Sequence, residues 1–173
     1  MQIDRFDARI LSALQQDGRL TVVELADSVG LSPTPCARRI KALEAARVIE
    51  GYAAVLNPTG IGLGVLALVQ VKLTLHTDET VARFERDIEL LDEVTNCYAV
   101  TGAYDFLLQV YAGDLDALSN VVLKKLLRIP HLRDLQSSVV LATVKRSGRL
   151  PLSHLPQTAG EPPPVGGGKR ARR

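Results

Sequence analysis

Thr34, Arg38 and Lys41 stand at i, i+4 and i+7, with Arg39 beside them. On a helix that spacing collects a hydroxyl and three cations on one side, a set suited to phosphate oxygens, although a plain solvated helix surface has the same form. Other chemistry finds little support. His76 ends an apolar run, His131 follows the helix breaker Pro130, and His154 lies in a Pro- and Gly-rich stretch, so no Ser-His-Asp arrangement and no positioned base stands out. Cys36 shares a helical face with Ile40 and Leu43 and reads as a small core hydrophobe, while Cys97 is remote from it. With no CxxC pair and no histidine at ligand spacing, neither a metal site nor a disulfide framework is expected. Gly60-Ile61-Gly62-Leu63-Gly64 lacks the GxGxxG spacing and precedes a strand, so it reads as an interdomain turn. The residues therefore point to a binding protein, with no enzyme activity and no cofactor.

The cationic residues sit on the third of three short helices. Ile3, Phe6, Ile10, Leu11 and Leu14 repeat at helical spacing after the cap-like Asp4, and Asp17-Gly18 ends that helix. Thr21-Val22-Val23-Glu24 has capping-box form and opens a second helix that Gly30 closes. Ser32-Pro33, an N-cap followed by proline at the first helical position, starts the third, which runs to about Ala46. A capped helix, a turn of about four residues and a second helix make the sequence form of a helix-turn-helix. Cys36, Ile40 and Leu43 face inward, which leaves the cations outside.

After Asn57-Pro58-Thr59-Gly60 the pattern changes. Val65 to Leu75 ends in strict alternation, a half-buried strand, and a helix follows from Asp78. Val94–Thr101 and Tyr104–Tyr111 are strands joined at Gly102-Ala103, which suits a tight hairpin. A helix from Asp114 to about Ile129 and a last strand over Leu135–Lys145 complete the order βαββαβ. The fold class is α+β, with a ferredoxin-like second domain. Leu66, Leu68, Leu107 and Val139 cannot all face the helices, so a second copy of the sheet is the expected cover, at least a homodimer. The domains are 1–52 (helix-turn-helix), 53–64 (linker), 65–150 (ferredoxin-like) and 151–173, a tail expected to be disordered. From Ser147 on lie five of the nine prolines and five of the thirteen glycines, together with Lys169, Arg170, Arg172 and Arg173.

The 173-residue chain is 46% hydrophobic, 23% charged and 4% aromatic, enough for a core and too little aromatic surface for a base-stacking groove. Its net charge of +2 excludes coating nucleic acid by bulk electrostatics and leaves local patches. No apolar run approaches the roughly 18 residues of a membrane span, so no membrane partner is expected and the cytoplasm is the expected location.

The stretches DARILSALQQDGRLTVVELADSVGLSPTPCARRIKALEAARVIEGYAAVLNP, CYAVTGAYDFLLQV and SSVVLATVKRSGRLPL resemble the Lrp/AsnC, or feast/famine, family of transcriptional regulators over about residues 3–152. The resemblance implies an N-terminal winged helix-turn-helix that binds double-stranded DNA. It also implies a C-terminal domain that assembles homodimers into tetramers or octamers and binds a small effector, usually an amino acid. By position, Ser32 and Thr34 would lie near base edges or phosphates, Arg38 and Arg39 would reach bases or backbone, and Lys41 would meet phosphate. Thr101, Gly102, Ala103, Tyr104 and Asp105 correspond to the effector loop: the N–H groups of 102–104 would receive a carboxylate and Asp105 would pair with an amino group. The same residues also form a plain turn in which Asp105 caps its own backbone. Ser137 corresponds to a position near the ligand. One departure is Arg47, where the family commonly has glycine after the recognition helix; a left-handed arginine there costs roughly 1–2 kcal/mol. An architectural DNA-binding protein and a stand-alone amino-acid sensor are the alternative functions.

Overall fold

The computed structural model describes residues 1–156, which divide into two units: 1–54 together with the segment from 146, and 55–145. In the first unit the caps define α1 (Arg5–Gln16), α2 (Val22–Val29) and α3 (Pro33–Ala45). The Asp4 carboxylate accepts from the N–H groups of Phe6 and Asp7, and the Asp7 carboxylate accepts from the Asp4 N–H. Thr21 and Glu24 form the same reciprocal box at the start of α2. Gly30, at φ 73°, closes α2, and Pro33 opens α3. Ser32 is the N-cap, but its exposed hydroxyl makes no capping bond.

Arg47 takes up the left-handed conformation, φ 54°, that the missing glycine would have supplied. Its N–H bonds to the Glu44 carbonyl and the Val48 N–H to that of Leu43, the two bonds of a Schellman closure. No strand forms over 46–64 among the described residues, so the wing implied by the resemblance is absent here as a strand. Residues 51–56 are exposed, and Val55 has no ladder partner in this chain.

Ile10, Leu11, Leu25, Ala26, Val29, Cys36 and Leu43 form the core of this unit. Leu152 and Leu155 pack against it, and the Leu150 backbone exchanges two hydrogen bonds with the Gln15 amide. The expectation of disorder for 151–173 is thus corrected over the described part, because two leucines spaced by three residues find apolar surface. From 157 on, that expectation lies outside the described residues.

The second unit contains β1 (Val65–Leu73), α4 (Asp78–Glu89), β2 (Val94–Ala99), β3 (Phe106–Ala112), α5 (Leu115–Asn120) and β4 (Leu132–Val139). The strands form one antiparallel sheet in the order β2-β3-β1-β4, as βαββαβ connectivity requires. Ala67, Val69, Val71 and Leu73 of β1 and Phe106, Leu108, Val110 and Ala112 of β3 face the core with Phe84, Ile88, Leu118, Val121 and Leu126.

Three local expectations change. The helix expected over 114–129 passes at 121–125 through a π turn and then a 3-10 turn. The wider turn keeps Val121 and Leu126 both buried, which five positions of a regular α-helix do not do. The last strand spans 132–139 rather than 135–145, because its partner β1 runs out: Val140 bonds to Leu66, and only Val65 of β1 remains beyond it. Val139 stands opposite Ala67, on the helix side, so the outer apolar surface consists instead of Leu66, Leu68, Leu107 and Tyr98.

Candidate DNA-binding and ligand-binding sites

On α3, Thr34, Arg38 and Lys41 are exposed along one stripe, with Ser32 exposed just before it. Cys36 and Leu43 are fully buried beneath, so packing fixes the rotation of the helix. Arg39 departs from the expected set. Its guanidinium donates at 2.8 Å to both Asp4 and Asp7 and lies 5.4 Å from the centre of the Phe6 ring. Its bond to Asp7, and then that to Asp4, hold the guanidinium above its ordinary pKa although partial burial opposes them. Burial pushes the Asp4 carboxyl up, but the Asp7 N–H, Arg39 and the Phe6 N–H outweigh it and leave the group below its ordinary value. Arg39 thus ties α3 to the first turn of α1. Its place three residues after Cys36, on the inward face, was the signal that sequence reasoning missed.

The loop between β2 and β3 is longer than the tight hairpin expected. It covers residues 100–105, closed by the Val100 N–H on the Asp105 carbonyl at 2.9 Å, with Gly102 at φ 122°. Thr101, Gly102 and Ala103 are exposed. Three side chains fasten the loop. Lys72 donates to the Ala103 carbonyl at 2.8 Å, and the Tyr104 hydroxyl donates to Gln136 at 2.9 Å. Asp105 accepts the Leu73 N–H on Oδ2 at 2.7 Å, and its Oδ1 stands 2.9 Å from His76 Nε2. Asp105 therefore already has two partners within the chain, one of them His76, which is exposed as the sequence reading expects.

Ser137 is not brought to this loop face. It stands opposite the core residue Val69, whereas Gln136, the partner of Tyr104, stands opposite Gln70 on the other face. The alternation of a strand separates them. Among the described residues no cluster could hold a metal ion, and no helix is long and apolar enough to cross a membrane.

Residues 3–44 match the AsnC-type helix-turn-helix domain and residues 66–150 the Lrp/AsnC ligand binding domain. The chain belongs to the Lrp/AsnC family of transcriptional regulators. The leucine-responsive regulatory protein of Escherichia coli K12 is 38% identical over 148 residues, 86% of this chain and 90% of that protein. A transcriptional regulator from Neisseria meningitidis, solved with L-methionine, is 41% identical with a TM-score of 0.85, over 88% of this chain and 99% of its own. The feast or famine regulatory protein from M. tuberculosis complexed with L-methionine is 29% identical with a TM-score of 0.74, over 84% and 96%.

Proposed function

We propose that this regulator binds specific double-stranded DNA sites in the cytoplasm through Ser32, Thr34, Arg38 and Lys41, and that a free amino acid held at residues 101–105 changes its assembly or its affinity. The observation that carries the first half is the exposed Thr34-Arg38-Lys41 stripe on a helix whose opposite face is locked by Cys36 and Leu43. Arg38 reaches base edges or backbone, and Lys41 meets phosphate. Arg39 acts behind them, as a positioning residue.

For the second half, the N–H groups of 102–104, on a loop whose residues 101–103 are exposed, receive the ligand's α-carboxylate, with Gly102 providing the conformation and the close approach. The ammonium group takes the Asp105 Oδ1 that His76 otherwise holds, while Oδ2 stays on Leu73. The methionine complexes of the two relatives make L-methionine the first ligand to try. The outer sheet face with Leu66, Leu68, Leu107 and Tyr98 supports a second copy as cover, hence a homodimer that assembles further into a tetramer or octamer. Ligand bound where copies meet favours one assembly, and DNA affinity changes by the difference in ligand binding between states.

The test is fluorescence anisotropy on the DNA upstream of its own gene against scrambled DNA, with and without each amino acid. A preference of roughly 10³ or more, altered by one amino acid, is the expected result. Equal, strongly salt-dependent binding to both DNAs would make it an architectural protein instead, and no binding would leave an amino-acid sensor alone.

A further inference from the structure

Charge is segregated within the ferredoxin-like unit. Residues 78–93 carry seven acidic side chains against Arg83 and Arg86, whereas residues 121–133 carry Lys124, Lys125, Arg128 and Arg133 and no acidic one. Lys125 is bonded to Glu93, which closes one pair within the chain and sets the two stretches side by side. Glu89, Asp92, Lys124 and Arg128 are exposed and have no ion pair among the described residues.

The same stretches carry leucines that the core does not use. Thr80, Phe84 and Ile88 turn α4 inward, and Leu118, Val121 and Leu126 do so for α5 and the turns after it. Leu90, Leu115 and Leu123 are each more than half exposed, and Leu127 is exposed too. Leu90 directly follows Glu89, and Leu123 directly precedes Lys124, so each stretch sets an exposed leucine beside an exposed charge of one sign. Apolar residues rimmed by charge mark a contact surface.

We propose that this helical surface is where one dimer meets the next, residues 89–92 of one copy lying on residues 123–128 of another. The complementary signs stand on the same chain, so a second copy is the partner that fits. A two-fold axis between the stretches forms the contact twice, acid on base and base on acid, with Leu90 against Leu123 and Leu127. α4 and α5 cover the Val69, Val71, Leu108 and Val110 side of the sheet, opposite to Leu66, Leu68, Leu107 and Tyr98. The helical contact and the sheet-to-sheet contact therefore form together without competing. The proposal rests on the further assembly read above and names the surface that makes it.

Light scattering on the full chain tests it. The wild-type mass should exceed that of a dimer and fall as KCl is raised from about 50 to about 500 mM, since exposed charges are screened over a shorter range at high salt. Lys124→Glu with Arg128→Glu and, in a second variant, Glu89→Lys with Asp92→Lys should each leave dimers. Like charges set opposite each other weaken the association at least about 100-fold. An equimolar mixture of the two variants restores opposite signs across the contact, as does one chain carrying all four changes. Recovery of the assembled mass in either supports the contact and shows that the altered chains fold. Wild-type mass in each variant alone, a fall to monomers, or recovery in neither the mixture nor the four-change chain would overturn it. If the wild-type chain is no larger than a dimer, the further-assembly reading fails and takes the contact with it. If it is larger and both variants match it, only the contact fails.

Discussion

The Arg39 guanidinium donates at 2.8 Å to the carboxylate of Asp7, a residue 32 positions earlier and almost wholly buried in the first turn of α1. The same guanidinium reaches Asp4 at 2.8 Å, so both members of the α1 capping box hold the middle of α3. One side chain thereby couples the start of the first helix to the placement of the helix that carries Arg38 and Lys41.

Arg39 and Arg38 should then fail differently when changed. Arg39→Gln leaves Asp7 buried without its cation and should cost about 2–4 kcal/mol, toward the lower end because the arginine is 29% exposed. Arg38→Ala lies on the exposed stripe and should change stability by less than about 0.5 kcal/mol while weakening DNA binding. Urea denaturation of each variant, paired with anisotropy on DNA, separates the roles. Equal stability losses in the two would remove the distinction.

Acid should loosen the clasp in a defined direction. The Asp4 carboxyl titrates below its ordinary value of 3.8 in the folded chain, so its contribution is complete above that value and is lost as pH falls through the lower, folded one. Asp4→Asn keeps a good N-cap and removes the charge. The melting temperature of this variant should therefore lie below wild type at neutral pH and converge with it as the pH falls through the lowered carboxyl value. A constant gap between the two curves down to acid would show that the carboxylate charge plays no part.

Arg47 gives the opposite sign. At φ 54° it forms the Schellman bonds after α3 at the expense of Cβ strain. Glycine accepts that conformation freely but loses more entropy on folding. Arg47→Gly should still stabilise the chain by about 0.5–1 kcal/mol, read as a higher urea midpoint at unchanged slope. A lower midpoint would mean that the arginine side chain supplies more than its strain removes.

Sequence reading reached the elements wherever local rules act. Asp4, Thr21, Gly30 and Pro33 mark helix ends through bonds that span only a few residues, and the alternation of Val69, Val71 and Leu73 sets which face of β1 is buried. It fell short where a partner distant in sequence decides. Arg39 looks like one more exposed cation until Asp4 and Asp7 are placed beside it. The end of β4 is set by where β1 runs out, and the packing of Leu152 and Leu155 by surface on a unit more than a hundred residues earlier. The Asp105 pairing has the same character: Leu73 and His76 reach it only once β1 and β3 are in register, with Val71 opposite Phe106.

That pairing yields the last expectation. Asp105 Oδ2 is bonded to the Leu73 N–H at 2.7 Å, a bond between an end of β1 and the residue preceding β3, while Oδ1 faces His76, whose side chain is 61% exposed. An incoming ammonium group competes for Oδ1 with a side chain that solvent receives readily, so the exchange is inexpensive. Asp105→Asn keeps an oxygen for Leu73 and removes the charge, which should weaken amino-acid binding at least about 10-fold, since hydrogen bonds to charged groups contribute about 1.5–3 kcal/mol. His76→Ala removes the competitor and should leave affinity unchanged or raise it by a few-fold, about 1 kcal/mol at most. Gly102→Thr adds a Cβ that meets nothing within 4 Å in the free chain, so its strain comes from φ 122° and its bulk is felt only when a ligand arrives. Calorimetry with L-methionine and the other amino acids on all three variants distinguishes the possibilities. If Asp105→Asn binds as the wild type does while Gly102→Thr does not, the carboxylate serves the loop alone and the ammonium group is held by another residue.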